Sequence, residues 1–146
     1  MHYESFRTIF AYENFRIMTR AKKIQPTESE LEILQVLWDK QEATVREVHE
    51  VLEQYRDTGY TTTLKTMQIM TEKGLISRDT ATRTHVYTPQ LSREQAQDHF
   101  IGKMVSGLFG GSTSRLVIGA LDSEKISEEE IREIQDFLQQ FEQNRQ

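Results

Sequence analysis

Apolar residues first recur at helical spacing just after Pro26. Leu31, Leu34, Leu37 and Trp38 fall on one face of a 3.6-residue helix. Thr27-Glu28-Ser29-Glu30 precedes them as a capping box: the threonine hydroxyl accepts from the third amide, and Glu30 reaches back. This helix is predicted to end near Asp39-Lys40-Gln41. A second box, Thr44-Val45-Arg46-Glu47, opens a helix whose apolar side is Val48, Val51 and Leu52. Gly59 marks a turn. Tyr60-Thr61-Thr62-Thr63 then opens a third helix over about 60–73, with Leu64, Met67 and Met70 facing inward and Lys73-Gly74 as its stop. The pattern changes next to short β-type runs. Leu75 to Arg78 reads as a strand, Asp79 to Thr82 as a turn, and Arg83 to Thr88 as the return strand, ended by Pro89.

The rest is helical. Ser92-Arg93-Glu94-Gln95 is a third box, and the helix behind it is predicted to run to about Phe109, with Ala96, Phe100, Ile101 or Met104, Val105 and Leu108 on one side. Gly110-Gly111 breaks it, and a short helix over about Ser114 to Leu121 follows. A fourth box, Ser127 to Glu130, opens the last helix, where Ile131, Ile134, Leu138 and Phe141 are spaced 3, 4 and 3 apart, as in a coiled coil. These stripes are too large to solvate and too short to make a separate core. A core shared with a symmetry mate is expected, and folding back onto the preceding part of a monomer is the alternative. The expected fold is mainly α with a small β wing: a winged helix-turn-helix over residues 24–90, its wing at about 75–89, followed by a helical dimerisation region over 91–146. Residues 1–23, rich in aromatics (Tyr3, Phe6, Phe10, Tyr12, Phe15), fit this scheme poorly. They are read as an N-terminal extension, either an amphipathic segment packed on the body or a mis-assigned start with Met18 as the true one.

Composition narrows the function. The 146 residues contain no cysteine, which removes disulfides, thiolate zinc sites and cysteine nucleophiles. The N-terminus has no continuous apolar core of the secretory kind, so the cytoplasm is the expected compartment. His2, His49, His85 and His99 lack metal-ligand spacing, and His49 and His85 read as surface or core-edge residues. With no Gly-rich phosphate loop, nucleophile motif or metal set, an enzyme, a cofactor or a small-molecule substrate is not expected.

Net charge is −5, which argues against a nucleic-acid partner until it is divided along the chain. From Tyr55 to Pro89, five cations (Arg56, Lys65, Lys73, Arg78, Arg83) face three acids (Asp57, Glu72, Asp79), a local +2. No acid lies in the fourteen residues between Asp57 and Glu72. Phosphate contacts act within about a Debye length, so a local basic face outweighs the total. In winged helix-turn-helix motifs the third helix enters the major groove with its N-terminal residues on base edges. Here that turn offers Tyr60, Thr61, Thr62 and Thr63, then Lys65, Thr66 and Gln68. Threonine hydroxyls and methyls, and a lysine, suit base edges and phosphates. Arg46 in the first turn of the second helix, and Arg78, Arg83, Thr84 and His85 in the wing, suit the backbone or minor groove. The plainer reading is that Thr61 to Thr63 only cap the helix and the cations are ordinary surface charge. The same fold could also serve as a protein-interaction module without specific DNA binding.

With these residues in place, the chain resembles the penicillinase-repressor family, the BlaI/MecI-type regulators, over about Lys23 to Gln143. The resemblance is carried by PTESELEILQVLWD, ATVREVHEVL, GYTTTLKTMQIMTEKGLISR, the wing return HVYTP, and a tail beginning SREQAQDHF. It implies a homodimeric repressor reading a dyad-symmetric operator with TACA/TGTA-type half-sites. It assigns the groove contacts to Thr61, Thr62, Lys65 and Thr66, and phosphates to Arg46, Arg78 and Arg83. Dimerisation would fall to Phe100, Met104, Leu108, Leu116, Ile131, Ile134 and Leu138. In the resistance repressors a membrane sensor-protease signals antibiotic, and the repressor is cut at an Asn-Phe bond in the first tail helix. The matching position here is His99-Phe100, where the phenylalanine is kept and the asparagine is not. Copper-responsive relatives use a C-terminal cysteine cluster, which this chain lacks.

Overall fold

The structure is a computed structural model and describes residues 25–123 and 125–145. The expected extension at 1–23, with both readings of it, lies outside the described residues. Among the described residues, six helices and two strands follow in order: α1 (Glu28–Lys40), α2 (Val45–Leu52), α3 (Tyr60–Lys73), β1 (Ile76–Asp79), β2 (Val86–Pro89), α4 (Arg93–Leu108), α5 (Thr113–Ser123) and α6 (Glu128–Asn144). They form two compact units that divide between His99 and Phe100, within α4.

In the described part of the first unit, α1, α2 and α3 cluster against a β hairpin, and α4 begins. Capping boxes start α1 at Thr27 and α2 at Thr44, each with both reciprocal hydrogen bonds. The core joins Ile33, Leu34 and Leu37 of α1, Val48 and Leu52 of α2, Met67 and Met70 of α3, and Leu75, Ile76 and Tyr87 of the hairpin. The buried arc of α1 is wider than its sequence stripe. Ile33 and Val36 are buried while Leu31 and Trp38 are partly exposed, because α1 packs against α2, α3 and β2 at once.

α3 ends on Gly74 at φ +80°, with the Leu75 amide donating to the Met70 carbonyl at 3.0 Å. This is a left-handed cap that an L side chain would strain. It also moves the first strand. The Leu75 backbone closes the helix and accepts from Gln90 and Leu91, so β1 starts at Ile76 rather than Leu75. The strands pair antiparallel, Ile76 opposite Pro89 through Asp79 opposite Val86. The return strand is shorter than predicted: Arg83, Thr84 and His85 belong to the loop. Asp79 accepts from the Ala81 amide at 2.9 Å and the Thr82 hydroxyl donates to the Thr84 carbonyl at 2.6 Å, local bonds that compete with a ladder. The link between α1 and α2 adds a third edge, since Ala43 and Tyr87 exchange both backbone hydrogen bonds. Trp38 fastens the start of α4. Its Nε1 donates to the Leu91 carbonyl at 2.9 Å, and Arg93 lies over its ring while binding Asp39 at 2.6 Å.

In the second unit, Gly110 and Gly111, both at positive φ, end α4 and turn the chain into α5. The Phe109 ring lies against Gly119. Ser127 caps α6 through a full capping box. No residue of α5 or α6 is buried, and Leu108, Ile118, Phe137, Leu138 and Phe141 are at least half exposed.

Candidate nucleic-acid interface

α3 has two chemically distinct sides. Thr63, Met67 and Met70 are buried, while Tyr60, Thr61, Thr62, Lys65, Gln68 and Ile69 are exposed. One exposed stripe therefore carries hydroxyls, an amide and an ammonium along the first turns, and no acid stands in the first turn. Thr66 is half-buried, and its hydroxyl donates to the Thr62 carbonyl at 2.8 Å. Its methyl is thus the part best suited to an apolar contact. Thr63 departs from expectation. Its polar side chain predicts a place among the outward first-turn residues, yet it is only 2% exposed. Its spacing of four and seven from Met67 and Met70 places it on the inward face and was the available signal.

Arg78 on β1 and Arg83 in the wing loop are exposed, as is Arg46 on the first turn of α2. Among the described residues, ion pairs occupy Arg46, Arg56, Lys73 and Arg93, with Glu50, Glu32, Glu30 and Asp39 respectively. None of the described ion pairs takes up Lys65, Arg78 or Arg83. The Arg46–Glu50 pair is long, 3.5 Å, and exposed on both sides; pairs of this kind contribute only about 0.2–1 kcal/mol, so phosphate can replace the carboxylate. One acid of this unit is also held locally. The Thr44 backbone N–H holds the Glu47 carboxyl below the usual carboxylate range, opposed by a little desolvation and helped by the Thr44 hydroxyl and Lys40.

His49 is buried, and both ring nitrogens are engaged. Nδ1 lies 3.2 Å from the Thr63 hydroxyl and Nε2 2.9 Å from a Glu53 carboxylate oxygen. Tyr60 packs edge-on against the ring, centroids 5.6 Å apart. Among the described residues, no group of three or more His, Cys, Asp or Glu is placed to hold a metal, and no single helix is long and apolar enough to cross a membrane.

The seven residues expected at a dimer interface lie on α4, α5 and α6. Phe100, Leu116 and Ile134 are half-buried, and Met104, Leu108, Ile131 and Leu138 are exposed, Leu108 to 77%. His99 and Phe100 are half-buried within α4.

A sequence model of the penicillinase repressor family matches residues 26–140. The chain is 26% identical over 121 residues to the penicillinase repressor of Bacillus licheniformis, covering 82% of this chain and 94% of that protein. It is 34% identical over 76 residues to the transcriptional regulator BlaI of Mycobacterium tuberculosis, covering 51% of this chain and 55% of that one. Among solved structures, the DNA-binding domain of the repressor BlaI matches with 24% identity and a TM-score of 0.45, over 49% of this chain and 88% of that one. Reduced AbfR bound to DNA matches with 16% identity and a TM-score of 0.43, over 84% and 94%. The family match spans both the winged unit and most of the helical tail, and the chain belongs to the penicillinase repressor family, whose members are DNA-binding regulators and not enzymes.

Proposed function

We propose that the protein is a homodimeric transcriptional repressor that reads a dyad-symmetric operator, with residues 24–90 as the reading part and 91–146 as the dimerising part. The observation that carries this reading is the exposed, acid-free first turns of α3, flanked by wing cations that no described ion pair occupies. Thr61, Thr62, Lys65 and the Thr66 methyl meet base edges, with Tyr60 beside them. Arg46, Arg78 and Arg83 hold phosphates and fix the register, since backbone contacts orient a protein while base contacts specify sequence. Two such faces on one duplex add their binding energies, which offsets the net charge. The exposed apolar residues of α4, α5 and α6 are where the second copy packs.

Release by proteolysis at His99-Phe100 belongs to the same reading. That bond lies where the two compact units divide, so a cut there parts the reading unit from the tail. It also lies inside a helix, and a protease reaches such a bond only after local unwinding.

The test is binding of the whole protein to duplex from its own promoter. Lys65→Ala or Thr62→Ala should weaken specific binding by about 1–3 kcal/mol, and wild-type affinity should fall steeply with salt. If neither substitution changes binding, the groove assignment is wrong. Weak binding to all duplexes with little salt dependence would instead mark a protein-interaction module.

A further inference from the structure

Five of the described helices begin on a Ser or Thr whose hydroxyl accepts a first-turn amide: α1, α2, α4, α5 and α6. α3 begins on Gly59 and has no side-chain cap. Its first turn is restrained instead by a residue from another helix. His49 of α2 touches that turn twice, by hydrogen bond to Thr63 and edge-on with Tyr60.

The proton positions follow from chemistry. A carboxylate only accepts, so Nε2, beside Glu53, carries a proton. In the neutral ring Nδ1 then has a lone pair and accepts from the Thr63 hydroxyl. His49 is 8% and Thr63 2% exposed, so water is a poor substitute for either partner, and a broken bond leaves a buried polar atom unsatisfied. The bond therefore fixes the rotation of the turn about the α3 axis as well as its height. Thr62 is the residue before it on the helix, about 100° around the axis. Any rotation or slide at Thr63 carries Thr61, Thr62 and Lys65 with it.

We infer that His49 is the positioning residue for the DNA-reading turn of α3, acting through Thr63 and Tyr60 and touching no DNA itself. This rests on α3 being the groove helix. Hydrogen-bond readout needs its groups held within about 0.5 Å, so loosening this contact lowers sequence discrimination before it lowers general affinity for duplex DNA.

The experiment titrates full-length protein against two labelled duplexes of equal length, one from its own promoter and one scrambled, and records the melting temperature of each variant. His49→Gln places an amide near Nε2 and loses the Thr63 bond, whereas His49→Asn places one near Nδ1 and keeps it. Thr63→Val removes the hydroxyl at constant shape and Thr63→Ser restores it. His49→Gln and Thr63→Val should weaken promoter binding roughly tenfold and leave scrambled-duplex binding and the salt slope unchanged. His49→Asn and Thr63→Ser should recover most of the loss. If His49→Gln does not fold, the valine and serine pair carries the test. Folded variants that bind the promoter within about twofold of wild type overturn the inference. So does a loss on both duplexes that follows the melting temperature. Wild-type protein that binds the two duplexes equally overturns the groove reading itself, a different result from either.

Discussion

Glu30 and Lys73 tie the start of α1 to the last residue of α3, and removing Lys73 alone should cost at least as much as removing both. The Glu30 carboxylate accepts from the Thr27 amide at 2.8 Å and from Lys73 Nζ at 2.6 Å. Its side chain is 4% exposed, against 38% for Lys73. Lys73→Met keeps the aliphatic stem and removes the charge, so the carboxylate is left buried with the Thr27 amide. Breaking a fully buried pair costs about 3–5 kcal/mol. Solvent reaches the ammonium here and screens it, which lowers the figure to about 2 kcal/mol. Loss of a cation at the C-terminus of α3 adds about 0.3–1 kcal/mol. Glu30→Gln should cost less, about 1 kcal/mol, because Lys73 can turn to water and the amide oxygen still accepts from Thr27. The double variant should be no less stable than Lys73→Met alone. Urea denaturation followed by fluorescence checks this, since Trp38 is the sole tryptophan and lies on α1. A Lys73→Met cost below about 0.5 kcal/mol, or a double variant equal to the sum of the singles, would refute the reasoning.

Three further outcomes are expected. The Ser127 backbone N–H and then its hydroxyl hold the Glu130 carboxyl below the usual range, as Thr44 does for Glu47. The folded value is the lower one, so each cap's contribution is complete above the unfolded value and is lost as pH falls through the folded value. NMR titration should show Glu47 and Glu130 losing their charge at lower pH than an unperturbed glutamate, and Ser127→Ala, which removes the hydroxyl and keeps the backbone N–H, should raise Glu130 only part of the way back; an unmoved Glu130 would sink the hydroxyl's part in the assignment. Gly74→Ala should destabilise by about 1 kcal/mol because φ is +80° there, while nothing lies close enough to clash. Gly74→Asn should cost less, and equal costs in thermal melts would mean that crowding, not backbone conformation, is the cause. Leu138→Glu together with Ile134→Glu should give monomers by sedimentation, with much weaker promoter binding; an unchanged dimer would remove the tail from the interface.

Helix positions were legible in the sequence because caps and stripes are local signals. Four capping boxes, at Thr27, Thr44, Ser92 and Ser127, are present with their reciprocal bonds. The wing was legible in kind and not in extent, because its limits depend on backbone groups with partners distant in sequence. Leu75 serves the α3 cap and the Gln90 amide, and Ala43 pairs with Tyr87 across 44 positions. The exposed part of the candidate site, Thr61, Thr62 and Lys65, is marked in the sequence by the absence of acids. His49 could not, since its role depends on which residue of α3 lies opposite. Thr63 was legible through its spacing from Met67 and Met70, but its hydroxyl drew it into the polar set.

The same geometry resolves the conflict between an acidic chain and a DNA partner. A net charge of −5 would repel a duplex if the acids were spread over the approaching surface. Several of them instead have internal tasks. Glu30 and Glu47 close capping boxes, Glu53 holds His49, and Glu32 and Asp39 bind Arg56 and Arg93. Each of these lies on or next to α1 and α2, the helices behind α3, or at the join to α4. The cations that no described ion pair occupies include Lys65, Arg78 and Arg83, all exposed on α3 and the wing. Because salt limits the reach of the more distant acids to about 8–10 Å, a duplex at this face responds to the nearer set, these cations together with Glu72 at the far end of α3 and Asp79 on β1. On the proposed reading, the placement of charge on α3 and the wing, rather than total charge, therefore decides whether α3 can approach phosphate.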